Sequence, residues 1–211
     1  MIKAIFFDQG GVLVCEAGSE QIELLSKASG ASFEHCKMIR KKYWNKLKLG
    51  YITDDEYWQG TTNYGDLGRG VLNELTIDKS EYLSLRHSSI KAIKLFDFSK
   101  PLLNQLSKKY ILGIISNNSK EWGENVLKAG GIDQYFKILI YSHTVGLAKP
   151  DKKIYTLTFS KLTHVSPEEI LLIDDKEKSL IPARELGWNT LLFKSYDKLI
   201  KDLGALSVEI T

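Results

Sequence analysis

Short apolar segments that close on polar residues, with helical patterns between them, constrain this chain more than any other feature. Ile2 to Phe7 is rich in β-favouring residues, carries Lys3 as its only charge, and stops at the turn signal Asp8-Gln9-Gly10-Gly11. Comparable runs follow at Tyr110 to Ile115, Ile170 to Ile173 and Thr190 to Phe193, with a weaker one at Lys137 to Ile140. Apolar runs of this length fit strands buried on both faces of a parallel sheet. Helical patterns separate them at Pro101 to Lys109, Glu121 to Ala129, Lys152 to Leu162 and Lys178 to Leu186. Strand alternating with helix predicts an α/β fold, a three-layer parallel sheet with right-handed crossovers.

The stretch from Glu16 to Asp97 breaks that alternation, because no buried strand can be found in it. Ser19 can cap a helix through Leu25, and Ser32 one through Leu47. Thr53-Asp54-Asp55-Glu56 opens another with acids in its first turn, and Asp78 suits a fourth cap. The glycine-rich segment Gly65 to Gly70 has no strand before it and reads as a loop. At 211 residues the chain has room for one large domain with an inserted unit. The expected division is a core of residues 1–15 and 98–211, interrupted by an all-helical insertion at 16–97.

Composition excludes several classes. The chain is 43% hydrophobic and 26% charged, which fits a buried core and argues against disorder. A net charge of +3 is too small for a dedicated nucleic-acid binder. Cys15 and Cys36 match no disulfide framework or zinc spacing and read as reduced thiols. The amino terminus MIKAIFFD is too short an apolar stretch for a signal peptide, and no run of ~18 apolar residues is present. The expectation is a cytoplasmic protein without a membrane span; no heptad marks an oligomer interface.

In open parallel sheets, ligands bind beyond the carboxyl ends of the strands. Here those ends carry Asp8, Ser116-Asn117 and Asp174-Asp175, and Lys149 precedes Pro150, which suits the first position of a helix. Carboxylates packed together repel unless a cation lies between them, and hard oxygen ligands suit Mg²⁺. Metal and Lys149 together would fit a tetrahedral dianion, with Ser116 and backbone N–H groups as donors. Phosphate is the expected occupant. Asp8 is then either a metal ligand alone or also a nucleophile that takes up the phosphoryl group.

Phe7-Asp8-Gln9-Gly10-Gly11-Val12-Leu13, Ile115-Ser116-Asn117-Asn118, Lys149-Pro150-Asp151 and Ile173-Asp174-Asp175 together resemble the four ordered motifs of the haloacid dehalogenase (HAD) superfamily. The resemblance covers almost the whole chain. It implies a Rossmann-like core, and the insertion is similar to the helical cap of the superfamily's first subclass. It further implies a phosphatase acting on a small phosphorylated metabolite, such as a sugar phosphate, through an aspartyl-phosphate on Asp8. Ser116 and Asn117 would bind the phosphoryl group, and Lys149 would balance its charge. Asp8, the Gly10 carbonyl, Asp175 and, directly or indirectly, Asp174 would hold Mg²⁺. Where the superfamily usually has a second aspartate acting as general acid and base, this chain has Gly10. That departure leaves two alternatives, a 2-haloacid dehalogenase-type hydrolase and a phosphate-binding regulatory module without turnover.

Other features carry weaker signals. Glu16 is a candidate substitute acid. His35, His87, His143 and His164 show no ligand spacing, although His143 precedes Lys149 on a loop that could approach the site. Lys37, Arg40, Lys41, Lys42, Lys46 and Lys48 flank Tyr43 and Trp44 in one predicted helix. Such a helix attracts anions or is a solvated face with its aromatics buried; Tyr51, Tyr57, Trp58 and Tyr64 add to the aromatic content.

Overall fold

Apolar side chains at alternate positions of the central strands point to opposite faces, and each face is covered by its own helices. The computed structural model describes residues 1–15, 18–60 and 69–210; Glu16, Tyr64 and most of the glycine-rich segment lie outside them. Strands β1 (Ala4–Phe7), β2 (Ile111–Ser116), β3 (Ile138–Tyr141), β4 (Ile170–Asp174) and β5 (Asn189–Leu192) form a parallel sheet in the order β3-β2-β1-β4-β5. Ile5, Phe7, Ile114 and Ile173 pack on one face with α6 (Ser99–Leu106), α7 (Asn125–Ala129) and α11 (Tyr196–Ala205). Ala4, Phe6, Ile115 and Leu172 pack on the other with the short α8 (Ser142–Val145), α9 (Lys152–Phe159) and α10 (Glu177–Glu185). The three-layer α/β expectation is met.

Between β1 and α6, the regular elements of the described residues are helices: α1 (Gly18–Ser29), α2 (Phe33–Leu47), α3 (Asp54–Gln59), α4 (Gly70–Glu74) and α5 (Lys79–Lys91). Ser32 caps α2 by accepting from the His35 N–H, and Thr53 with Glu56 closes a reciprocal capping box on α3. These helices bury a separate apolar cluster that includes Leu25, Ile39, Tyr43, Leu47, Tyr57 and Trp58. Trp122 joins that cluster from a π-helical turn, Lys120–Glu124, that follows β2. The chain leaves and re-enters the sheet region along one antiparallel pairing: Cys15 N–H donates to Lys94 O at 2.8 Å and Phe96 N–H to Leu13 O at 3.0 Å.

Candidate active site

Strand register brings the polar strand ends together. Phe7 pairs with Ile114 on one side and Ile173 on the other, so Asp8, Ser116 and Asp174 leave the sheet along one edge. Strand order reverses beside β1, the position where parallel sheets open a crevice. A cavity of about 470 Å³ lies there. Asp8, Gly10, Ser116, Asn117 and Lys149 line it from the strand ends, and Gln21, Arg40, Trp44 and Lys48 from the helices.

Lys149 is the buried hub of the site. Its ammonium lies 3.1 Å from Asp8 Oδ1 and 2.5 Å from Asp174 Oδ2, as a buried charge requires. Asp8 Oδ1 also accepts the Gln9 N–H at 2.7 Å. The Lys149–Pro150 peptide is cis. Pro150 is not the first residue of a helix, as the sequence pattern suggests; α9 begins at Lys152, after Asp151 caps it by accepting the Lys153 N–H at 2.9 Å. A carboxylate at the cap position is the stronger start signal. Lys149 is placed instead by Asn117, whose amide donates to Lys149 O and accepts from Lys149 N, both at 2.8 Å. The Asn117 side chain is thus engaged with the main chain of its neighbour.

Asp174 is fully buried behind the lysine, with Oδ1 accepting the Lys176 N–H at 2.8 Å. Burial pushes its carboxyl above the usual carboxylate range; Lys149 opposes that shift and the charge of Asp8 adds to it. Asp8, Asp174 and Asp175 each offer an oxygen within 4.8 Å of the others. Asp8 and Asp174 share the Lys149 ammonium, Asp175 lies 3.6 Å from that of Lys176, and the donor set is hard oxygen, which fits a divalent cation such as Mg²⁺. Gly11 turns the chain against this cluster at a φ of 76°, and a Cβ there would lie 2.8 Å from Asp175 Oδ2. The loop after Asp8 is closed on itself, with the Leu13 and Val14 N–H groups donating to Gln9 O at 2.9 and 3.0 Å.

Several participants were not anticipated from sequence. Gln9 is fully buried; its amide donates to Gly123 O at 3.1 Å and accepts from the Tyr141 hydroxyl at 3.1 Å, tying the turn that follows Asp8 to β3. A glutamine inside a turn signal gives no hint of that. Trp122 lines the cavity and lies 5.3 Å from Trp44, ring centre to ring centre. His143 does not line the cavity among the described residues; its Nδ1 lies 2.8 Å from Asn118 O and its Nε2 3.2 Å from Glu124. The helical segment docks beside the site through Asp54, which accepts the Ser119 hydroxyl at 2.5 Å and the Glu121 N–H at 3.2 Å.

Comparison with known proteins places this arrangement. The family model of haloacid dehalogenase-like hydrolases matches residues 36–193. An uncharacterized hydrolase of Schizosaccharomyces pombe is 37% identical over 159 residues, 72% of this chain and 68% of that protein. The D-ribitol-5-phosphate phosphatase of Bacteroides thetaiotaomicron is 27% identical over 199 residues, 90% of this chain and 91% of that one. By contrast, the chain spans 23% of the length of bifunctional epoxide hydrolase 2 of Sus scrofa, to which it is 32% identical over 131 residues. A HAD family enzyme of Bacteroides thetaiotaomicron, crystallised with magnesium and inorganic phosphate, superposes with a TM-score of 0.75 at 20% identity, covering 94% of this chain and 99% of that one. The chain belongs to the haloacid dehalogenase-like hydrolases.

Proposed function

We propose that the protein is a Mg²⁺-dependent phosphatase that hydrolyses a small phosphate monoester through an aspartyl-phosphate on Asp8. The observation that carries this reading is the state of Asp8: Oδ1 is held by the Gln9 N–H and the Lys149 ammonium, which leaves Oδ2 directed to no protein donor among the described residues. That oxygen attacks phosphorus, the phosphorus–ester oxygen bond breaks, and the alcohol departs with a proton drawn from solvent. Water then attacks phosphorus, the bond to Asp8 breaks, and inorganic phosphate leaves with the carboxylate restored.

Ser116 and main-chain N–H groups at the end of β2 hydrogen-bond the phosphoryl oxygens, and Lys149 balances the charge that builds on them. Asp8, Asp175 and the Gly10 carbonyl would hold the metal, with Asp174 against it or one step behind. When bound, Mg²⁺ supplies positive charge to the phosphoryl oxygens and lowers the repulsion between them and Asp8. Residues 16–97 act as the unit that selects the substrate over the site. The phosphatase activity of the Bacteroides relative supports this reading, and the carboxylate cluster counts against a metal-free dehalogenase.

The test is phosphate release from p-nitrophenyl phosphate and a metabolite panel, with and without Mg²⁺. Activity is expected to need Mg²⁺, to vanish with chelator, and to be absent in Asp8→Asn. Turnover by Asp8→Asn, or halide release from chloroacetate unaffected by chelator, would overturn the assignment.

A further inference from the structure

The basic helix α2 divides its charges between two faces. Cys36, Ile39, Tyr43 and Leu47 are buried in the helical cluster, while Arg40, Trp44 and Lys48, spaced by four, line the cavity that holds Asp8. Away from the cavity, Lys37 pairs with Glu34 and Lys42 with Glu74. Lys41 and Lys46 lie off the cavity too and make no ion pair with a described residue, so what sets the cavity wall apart is the sign of its charges. The cationic side chains there are Arg40, Lys48, Lys149, Lys176 and Lys178, against Asp8 as the one carboxylate among the described lining residues. Lys149 is matched by Asp8 and Asp174, and Lys176 lies 3.6 Å from Asp175. Arg40, Lys48 and Lys178 make no ion pair with a described residue.

Arg40 is nonetheless held in place. Its Nε donates to Oε1 of Gln21, a buried polar side chain, and its guanidinium lies 5.1 Å from the centre of the Trp44 ring. Among the described residues, only one of its five N–H donors is used in this way. Lys48, from the helical segment, and Lys178, from α10, approach one another closely enough that burial and then the charge of Lys178 hold the Lys48 ammonium below the ordinary lysine range. Like charges gathered on one wall of a ligand-sized cavity are unfavourable until an anion lies between them.

We propose that the wall formed by Arg40, Lys48 and Lys178 is a second anion subsite, and that the substrate is a phosphate monoester bearing a further carboxylate or phosphate. The substrate class rests on the assignment of Asp8 as phosphoryl acceptor; the subsite itself does not. One anionic group then meets the Asp8 site and the other joins charges on the helical segment and the core, so binding draws the two together.

Two matched pairs of substrates test this. Glycerol 3-phosphate against 3-phosphoglycerate reads a carboxylate, and fructose 1-phosphate against fructose 1,6-bisphosphate reads a second phosphate. The anionic member of at least one pair is expected to have the higher kcat/KM. That preference should fall roughly tenfold in Lys48→Gln and in Lys178→Gln, the scale of a lost charge-assisted hydrogen bond, and change less than about twofold in Lys37→Gln on the outer face of α2. A preference for the neutral members, or for a nucleoside monophosphate, or a preference that Lys48→Gln and Lys178→Gln leave intact, overturns the proposal.

If none of these esters is hydrolysed, the phosphatase reading fails and the subsite is judged by binding. Tryptophan fluorescence and calorimetry then compare fructose 1,6-bisphosphate with fructose 1-phosphate. Tighter binding of the bisphosphate that Lys48→Gln abolishes sustains the subsite. Equal affinities overturn it.

Discussion

Asn117 grips the main chain of Lys149 at both ends, donating to its carbonyl and accepting from its N–H at 2.8 Å each. Residues 32 apart in sequence are thereby fixed as one unit, and the ammonium that neutralises Asp8 and Asp174 inherits its position from an amide. Each bond is worth about 0.5–1.5 kcal/mol, so Asn117→Ala should lower stability by about 1–3 kcal/mol. It should also lower kcat about tenfold or more, since a displaced ammonium no longer meets the phosphoryl group. Asn117→Asp should do worse on both counts, because a carboxylate oxygen would then face the Lys149 carbonyl. Urea unfolding and aryl phosphate hydrolysis measure the two effects, and an Asp variant as active as the Ala variant would show that the clamp is not what positions Lys149.

Gly11 brings the main chain against the carboxylate cluster. Its φ of 76° disfavours any side chain, and a Cβ would stand 2.8 Å from Asp175 Oδ2. Left-handed backbone costs a non-glycine residue about 1–2 kcal/mol. Gly11→Ala should therefore lose roughly that much stability and, by pushing the Asp175 carboxylate aside, weaken the apparent affinity for Mg²⁺ about tenfold. Mg²⁺ titrations of activity, with Gly146→Ala as a control at a left-handed glycine with open space around it, separate backbone strain from the local collision.

The strand ends were legible because a buried apolar run that stops on aspartate or serine is costly unless something uses the polar group. The caps at Ser32 and Thr53 were legible because capping is local chemistry. What escaped was non-local. The helix expected from Glu121 opens as a π-helical turn at Lys120–Glu124, held by Gln9 and Asn118 donating to the carbonyls of Gly123 and Trp122. The Tyr196–Ala205 helix rests on Leu199 and Leu203, a stripe too short to stand out before the sheet face beneath it is known. The basic run around Trp44 was visible as composition, but its division into an outer face and a cavity face depends on where Glu74 and Lys178 come to lie.

Gly10 leaves the site without a carboxyl two residues beyond Asp8, and no other acid among the described residues lines the cavity. In the proposed reaction the departing alcohol then takes its proton from water, so the rate should fall steeply as the leaving group becomes more basic. General acid catalysis is worth ~10²–10⁴-fold, and alkyl phosphates should lag aryl phosphates by a gap within that range. Gly10→Asp should narrow the gap by accelerating alkyl esters more than aryl ones. A series of phosphate esters of graded leaving-group pKa reads this directly. A flat series in the native protein would mean that an acid is supplied from elsewhere, with Glu16 the first residue to substitute.

Glu121 links the helical segment to the core and makes stability depend on pH. It is buried at the π-helical turn, and Arg86 Nε donates to its Oε1 at 2.8 Å while Arg86 Nη1 meets Asp55 Oδ1 at 2.5 Å. Burial raises the Glu121 carboxyl above its ordinary value; Arg86 opposes the shift, and Asp54 and Asp55 add to it. A folded-state pKa above the unfolded one means that the folded protein holds the proton longer. The contribution of Glu121 is therefore most favourable below the unfolded glutamate value of about 4.3, and it is lost as pH rises through the raised folded value. Removing the guanidinium widens that window. Arg86→Gln should be nearly neutral at pH 4 and cost about 1–3 kcal/mol at pH 7, the penalty for leaving a buried acceptor without its donor. Asp55 is largely exposed and adds little. In the Arg86→Gln, Glu121→Gln double variant the pH-dependent part should disappear. Urea unfolding of the three proteins at both pH values decides it, and an Arg86→Gln loss equal at pH 4 and pH 7 would mean that Arg86 stabilises by packing and not through the Glu121 charge.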